Sequence, residues 1–440
     1  MTPSGEPSPA ATSARVVAAN VVQRVITEGA FVSDALDAEL ESARLEGRDR
    51  ALATELCYGV VRVEHALGEH LEALARRGLD RGDDVLRAHL LVAAYQLLVL
   101  DRIPAFAAIN EAVAALRQRR GPKVAGFANA ILRRLSGSGQ RLSLAAALEA
   151  SVAPWLFAEL CGSVGREAAL GLLGATPVAS RRGLCVRLTA RAERDRLEWL
   201  ARAEPGKIVP SALWLPPCGD LRQLAGYSDG CFVVQEEGAQ WAALALGAGP
   251  GERVLDACAG HGQKSSLLAE RILPGGTLVV NDVTDSKLAK LRREFERLGL
   301  PAPSCHRVDL SRGEGSLPGG MDRVLVDAPC TGTGTLRRRP EILRRLTAAD
   351  PRRLGDQAAA LLMAAARTAR PGGRVLFVVC SVLRSECEDV IERVAEVLSP
   401  VPFDAPEARR VAGEGQSQYR LLPSEHGTDG YFVASLAPRA

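Results

Sequence analysis

From Ala14 to about Leu148 the apolar positions recur with helical spacing, and no alternating, strand-like run competes with them. Turn signals at Gly47, Arg81-Gly82-Asp83 and Gly121-Pro122 divide this stretch. The predicted helices are Val16–Thr27, Arg50–Gly59, Glu64–Arg76, Val85–Leu100, Phe106–Arg120 and Phe127–Leu135. Between Pro154 and about Gly247 the two periods mix. A helix over Trp155–Leu173 precedes a strand at Leu184–Leu188, a helix near Arg194–Ala203, and short strands at Ile208-Val209 and Ala212–Leu215. From Glu252 onward, strand-length apolar runs alternate with helical stretches, the signature of βαβ units. The strands are Arg253–Ala257, Thr277–Val283, Cys305–Val308, Asp322–Asp327 and Gly373–Cys380, with a last one at Gly430–Leu436. The helices are Lys264–Ile272, Asp285–Leu298, Leu354–Arg370 and Glu386–Leu398. The expected fold class is therefore α/β, a doubly wound parallel sheet at residues 248–440. An all-helical domain at 14–150 and a small α+β unit at 151–247 precede it.

Composition narrows the class. Hydrophobic residues make up 47% of the 440 and charged residues 24%, the balance of a globular chain. The longest apolar stretch, Leu90–Leu100, is interrupted by Gln96 and is about half of what spans a bilayer. Residues 1–13 are rich in Pro, Ser, Thr and Ala without an apolar centre, so they read as a disordered leader and not as a signal peptide. Ten cysteines scattered without a CxxC pair favour reduced thiols, no metal site and a cytoplasmic location. A monomer without membrane attachment is expected. Net charge is only +3, and just five of the 55 basic residues are lysines. Arginine clusters at Arg117–Arg120, Arg133-Arg134, Arg181-Arg182, Arg337–Arg339 and Arg344-Arg345 suit phosphate contact and base stacking. Biased genome composition would also produce them.

The chemistry concentrates at strand ends. Cys330, in Asp327-Ala-Pro-Cys-Thr-Gly-Thr-Gly334, and Cys380, in Val378-Val-Cys-Ser381, each stand where an apolar strand pattern gives way to a loop. Ligands of parallel sheets bind at the carboxyl ends of the strands, so both thiols are expected to face one crevice. Packing as small hydrophobes is the competing reading of either one. The string Val254-Leu-Asp-Ala-Cys-Ala-Gly-His-Gly-Gln-Lys264 reads as strand, glycine-containing turn and helix, which brings backbone amides to a ligand. Asp282, ending the next strand, is placed for ribose hydroxyls, and Asp309, ending the third, for an adenine. Helix capping is the alternative role of both. The third glycine of a dinucleotide fingerprint is missing, which points away from NAD and toward a nucleoside cofactor such as S-adenosylmethionine.

These strings, with Gly332-Thr-Gly334, Arg338-Arg-Pro-Glu341 and Cys380-Ser381, resemble the RNA 5-cytosine methyltransferases, specifically the bacterial ribosomal branch called RsmB, Sun or Fmu. Arg48-Asp-Arg50, Glu55–Arg62, Ile109–Val113 and Gly126–Arg133 are similar to the NusB-type RNA-binding domain which that branch carries in front, and Gly230–Gln235 to its lead-in segment. The resemblance implies a Rossmann-like S-adenosylmethionine methyltransferase domain acting on RNA, most simply small-subunit ribosomal RNA. It implies that Cys380 attacks cytosine C6, that Cys330 takes part in product release and that Asp327 holds the Watson–Crick edge. It also implies cofactor contacts from Cys258, Ala259, Gly260, His261, Gly262, Gln263, Lys264, Asp282, Asp309 and Asp327, and RNA phosphate contact from Arg337–Arg339. The family's Cys-Ala-Ala-Pro-Gly-Gly-Lys is Cys258-Ala-Gly-His-Gly-Gln-Lys264 here, which puts Gln263 where a positive φ is expected. Its Arg-Val-Asn is Arg187-Leu-Thr189, and the Thr before the second cysteine is Val379. A non-catalytic RNA-binding or assembly protein with a decayed cofactor loop is the second reading, and a DNA cytosine methyltransferase a third.

Overall fold

The computed structural model describes residues 13–75, 79, 83–175, 182–187, 197–216 and 221–439. The expected leader apart from Ser13, the Arg81-Gly82 turn, the helix end at Arg76, the helix start at Arg194 and Thr189 lie outside them. Two units emerge. The first draws its described residues from Met1–Phe157, Leu173–Ala179 and Leu336–Arg345. The second draws on Ala158–Leu172, Ser180–Thr335 and Leu346–Ala440.

The first unit is helical: α1 (Ala14–Thr27), α2 (Val32–Ala43), α3 (Gly47–Leu74), α4 (Asp84–Leu98), α5 (Ala105–Arg120), α6 (Pro122–Gly137) and α7 (Leu144–Ser151). Ser13 starts α1 by accepting the Val16 N–H, and α1 buries Val17, Val21, Val22 and Val25 along one stripe. In α4 every residue from Ala88 to Leu98 is buried, the mark of a core helix. The helices expected at Arg50–Gly59 and Glu64–Arg76 run on as α3 but meet at a kink at Val63, whose angles (φ −116°, ψ 21°) are non-helical.

Next come α8 (Pro154–Val164) and α9 (Arg166–Gly174), one helix in expectation and two in fact because Gly165 adopts φ +81°. A small antiparallel sheet is made of β1 (Arg182–Val186), β2 (Glu204–Pro205), β3 (Ala212–Leu215) and β4 (Phe232–Val234), in the order β2-β3-β1-β4. Its own core gathers Leu184, Val186, Trp199, Leu215 and Phe232. The described part of the helix expected near Arg194–Ala203 is a 3-10 turn, Glu198–Arg202.

After α10 (Glu237–Leu244) the doubly wound region runs β5 (Arg253–Asp256), α11 (Gln263–Arg271), β6 (Thr277–Asn281), α12 (Asp285–Arg297), β7 (Ser304–His306) and β8 (Met321–Asp327). It continues with α13 (Asp350–Ala366), β9 (Ala369–Val379), α14 (Glu388–Arg393), β10 (Leu398–Pro400), α15 (Pro406–Ala412), β11 (Gln418–Leu421), α16 (Pro423–His426) and β12 (Tyr431–Pro438). The sheet order is β10-β12-β9-β8-β5-β6-β7, with β11 beside β12. Pairing is parallel from β7 through β9 and antiparallel at β12. Successive residues of β9 alternate between two cores, Val375, Phe377 and Val379 on one face and Leu376 and Val378 on the other. Covering both faces is what makes the central runs Val324–Val326 of β8 and Val375–Val379 of β9 apolar at every position. The helix expected over Glu386–Leu398 is replaced by a 3-10 turn, the short α14 and an edge strand. Among the described residues no single helix is long and apolar enough to cross a membrane.

Candidate active site

The parallel strands β5 to β9 end on one side of the second unit, and the loops beyond them carry the polar residues. Asp256 closes β5, Asp327 closes β8, and Asp282 and Cys380 immediately follow β6 and β9. Asn281, the last residue of β6, ties the ends of β5, β6 and β7 together. Its Nδ2 donates to the carbonyls of Ala257 and Val308 at 3.1 and 3.0 Å, and its Oδ1 accepts the Val308 N–H at 2.8 Å.

β8 and β9 pair in parallel with Asp327 opposite Val378, which delivers the Cys330 and Cys380 loops side by side. The two Sγ atoms are 3.4 Å apart, and both residues are half-buried. The Cys330 S–H directed at Cys380 stabilises a thiolate there, and Lys264 adds positive charge. Together they hold Cys380 below the ordinary thiol range against burial and the nearby Asp327 and Asp429 carboxylates. Cys330, which keeps the proton, is pushed well above that range by the same hydrogen bond and by burial. Lys264 leaves the first turn of α11 to reach Asp327 Oδ2 at 2.6 Å, with its Nζ 5.8 Å from the Tyr431 ring centroid. Burial disfavours its charge, but Asp327 and Cys380 more than restore it, and its pKa rises.

A cleft of about 640 Å³ opens beside this cluster, lined among others by Ala257, Cys258, Asp282, Val283, Asp309 and Pro329. Asp282 is buried at its wall, accepting N–H groups of Gly260 (3.1 Å) and Thr284 (2.9 Å), with Lys287 Nζ 3.6 Å away. Asp309 does cap a 3-10 turn through the Ser311 N–H and hydroxyl while also facing the cleft. Burial raises the Cys258 thiol far above neutrality, so that residue packs as a neutral wall. Ala259 to Lys264 do not line the cleft. His261 is exposed, and Gln263 turns away to donate to the Val234 carbonyl at 2.9 Å. The positive φ expected at Gln263 sits instead at Gly260 (+56°) and Gly262 (+87°), and Gln263 is simply the first residue of α11.

The arginines expected at RNA phosphate, Arg337–Arg339, lie within the segment Leu336–Arg345 of the helical unit. Arg337 is buried in the helical unit, and the Arg339 guanidinium lies 5.2 Å from the Phe31 ring centroid.

A family model described as 16S rRNA methyltransferase RsmB/F matches residues 243–437, and the NusB family model matches residues 12–136. Ribosomal RNA small subunit methyltransferase B of Xylella fastidiosa (strain Temecula1) is 34% identical over 435 residues, covering 96% of this chain and 97% of its own. The protein of that name from Xanthomonas campestris pv. campestris is 33% identical over 447 residues, with 98% of each chain covered. The chain belongs to the RsmB/F family. The crystal structure of PH0851 superposes with a TM-score of 0.75 at 22% identity, covering 99% of this chain and all of its own. That of NSun6 from Pyrococcus horikoshii with SFG gives 0.54 at 16% identity, covering 65% and 98%. Both share the fold.

This RsmB/F chain is thus a methyltransferase with a NusB-type helical part and a Rossmann-like sheet, and its cofactor is S-adenosylmethionine. The residues present fit that cofactor: the cleft falls within the size range of small-molecule sites. It opens past the carboxyl ends of β6 and β7, with a buried carboxylate after the first and a second carboxylate after the other. Sequence reasoning passed over Asn281, Thr331, Thr333 and Glu386. Asn281 is signalled only as the polar last residue of an apolar strand, and Glu386 reads from sequence as an ordinary first-turn acid.

Proposed function

We propose that this chain forms 5-methylcytosine in small-subunit ribosomal RNA through a covalent bond between Cys380 and C6 of the base. The observation that carries the reading is the pair of thiols 3.4 Å apart beside the Lys264–Asp327 ion pair. Cytosine C5 is a poor nucleophile until something adds at C6. Cys380, favoured as the thiolate, supplies the electron pair, forming the C6–S bond and placing electron density on C5. S-adenosylmethionine, when bound, supplies the electrophilic methyl group. Asp327, fixed through Oδ2 by Lys264, holds the base edge and favours the protonated ring that accepts the thiolate. Transfer of the C5 proton to a water base then restores the C5–C6 double bond as the C6–S bond breaks and Cys380 leaves as thiolate. Cys330 stands beside that bond and takes part in the release. The base must be unstacked to enter, so the target is a loop or an opened helix. Ribosomal RNA follows from the family and from the names of the relatives.

The test is methyl transfer to unmodified ribosomal RNA. Cys380→Ala should abolish it, and equal activity would remove Cys380 as nucleophile. Cys330→Ala should accumulate a protein–RNA adduct on a denaturing gel. Full turnover without adduct would remove Cys330 from release.

A further inference from the structure

Strand pairing brings the Cys330 and Cys380 loops close, but it ends at Asp327 and Val379, before either sulfur is placed. Beyond those ends the loops meet through a buried polar cluster. Glu386, 1% exposed, stands at the end of the 3-10 turn Arg384–Glu386. Its Oε1 accepts the backbone N–H of Thr331 at 2.7 Å, and its Oε2 accepts the hydroxyls of Thr331 and Ser381. Those are the residues that directly follow the two cysteines. Thr333 Oγ1, 3.0 Å from the Ser381 hydroxyl, accepts the Val382 N–H at 3.2 Å, and the Gly334 N–H donates to the Cys380 carbonyl at 3.0 Å. Thr333 and Ser381 are fully buried and Thr331 nearly so.

A buried carboxylate is costly unless its oxygens are satisfied, and bonds to an ionised acceptor are short and directional. Burial pushes the Glu386 carboxyl above its ordinary range, and the Ser381 and Thr331 donors work against that rise. One side chain therefore fastens both loops at the residue next to each thiol. We propose that Glu386 is a positioning residue whose carboxylate clamps the Cys330 loop to the Cys380 loop and sets the separation of the two sulfurs. The inference gives that separation a use through the reading of Cys380 as nucleophile and Cys330 as its partner in release.

The measurement is closure of a Cys330–Cys380 disulfide by diamide in the full-length protein, followed by peptide mapping. The two thiols give up two protons and two electrons, the S–S bond forms, and the azo bond of diamide is reduced to the hydrazine. Neither RNA nor cofactor takes part, so the result stands apart from the catalytic reading, which Cys330→Ala tests by adduct trapping. The wild type should close readily. Glu386→Ala should close at least about tenfold more slowly, because a small misplacement of reacting groups costs factors of that order or more. Glu386→Gln keeps one acceptor for the Thr331 N–H and an amide that the hydroxyls can accept from, and should fall between the two. Glu386→Gln also preserves the volume of the site should the alanine variant fail to fold. On ribosomal RNA, Glu386→Gln should accumulate adduct relative to turnover, which loss of fold alone does not produce. A wild type that does not close, or equal rates in wild type and Glu386→Gln, overturns the clamp.

Discussion

Asp256 is the most deeply buried carboxyl group among the strand ends, 1% exposed, with Oδ2 taking the Ser265 hydroxyl at 2.6 Å and Oδ1 without a partner. Burial pushes its pKa up to about 6, with Asp327 adding to the rise and the Ser265 hydroxyl and Lys264 opposing it. A carboxyl raised in the fold favours its neutral form there. Its contribution to stability is therefore fully present below the unfolded value near 3.8 and is lost as pH climbs through about 6. Asp256→Asn keeps an acceptor for Ser265 and removes the titration. The variant should gain on the wild type by roughly 2 kcal/mol between pH 4 and pH 7, at about 1.4 kcal/mol per pKa unit. Thermal unfolding followed at a series of pH values reads this directly. Parallel Tm curves for the two proteins would place the charge of Asp256 elsewhere than the structure does.

The turn between β5 and α11 shows how one element's geometry sets the site. Gly262 adopts φ +87°, and a Cβ there would come within 2.6 Å of Leu291 Cγ on α12. Gly260 adopts φ +56° but faces open space. Gly260→Ala should therefore cost only the left-handed backbone term, about 1 to 2 kcal/mol. Gly262→Ala adds overpacking, for a total of about 2 to 5 kcal/mol. It should also weaken S-adenosylmethionine binding in calorimetry, because moving α12 moves the residues after β6. Equal Tm losses for the two variants would contradict the packing at Leu291. The same turn measures what the sequence makes legible. Strand ends and their aspartates could be read because the central runs of strands buried on both faces are apolar, so the polar residue after each run marks an end. The positions of positive φ could not, since a Gly-His-Gly-Gln string fits more than one turn. The edge strand Leu398–Pro400 was hidden because Leu398 closes the expected helix and two further residues carry no strand period. Pairing with β12, antiparallel through Ser399 opposite Ala437, outweighs that local preference. Glu386 was hidden for a related reason: its partners Thr331 and Ser381 lie in two separate loops, and only the fold brings them together.

At the scale of the whole molecule, the segment that follows the Cys330 loop in sequence belongs to the helical unit. Leu336–Arg345 is held there by a buried Arg62 whose Nη2 donates to the carbonyls of Arg337 (2.9 Å) and Ala175 (2.5 Å). Burial lowers the Arg62 pKa to about 10, still high enough to keep the guanidinium charged at neutral pH. Arg344 pairs with Glu64, Arg345 donates to the Gly29 carbonyl, and Arg339 and Arg345 lie 5.2 and 4.7 Å from the Phe31 ring centroid. A chain shortened to begin at Ala158 keeps the segment and loses all of these partners. The segment then loses the Arg62 donor, the Glu64 carboxylate, the Gly29 carbonyl and the Phe31 ring, and a segment stripped of such contacts opens more readily. Limited trypsin digestion should cut the shortened chain first after Arg337, Arg338, Arg344 or Arg345, at sites the full-length protein protects. In the full-length protein, Arg62→Ala leaves two carbonyls without their donor and should expose the same sites partially. Equal protection of the segment in the full-length and shortened chains would show that it is held by something other than Arg62, Glu64, Gly29 and Phe31.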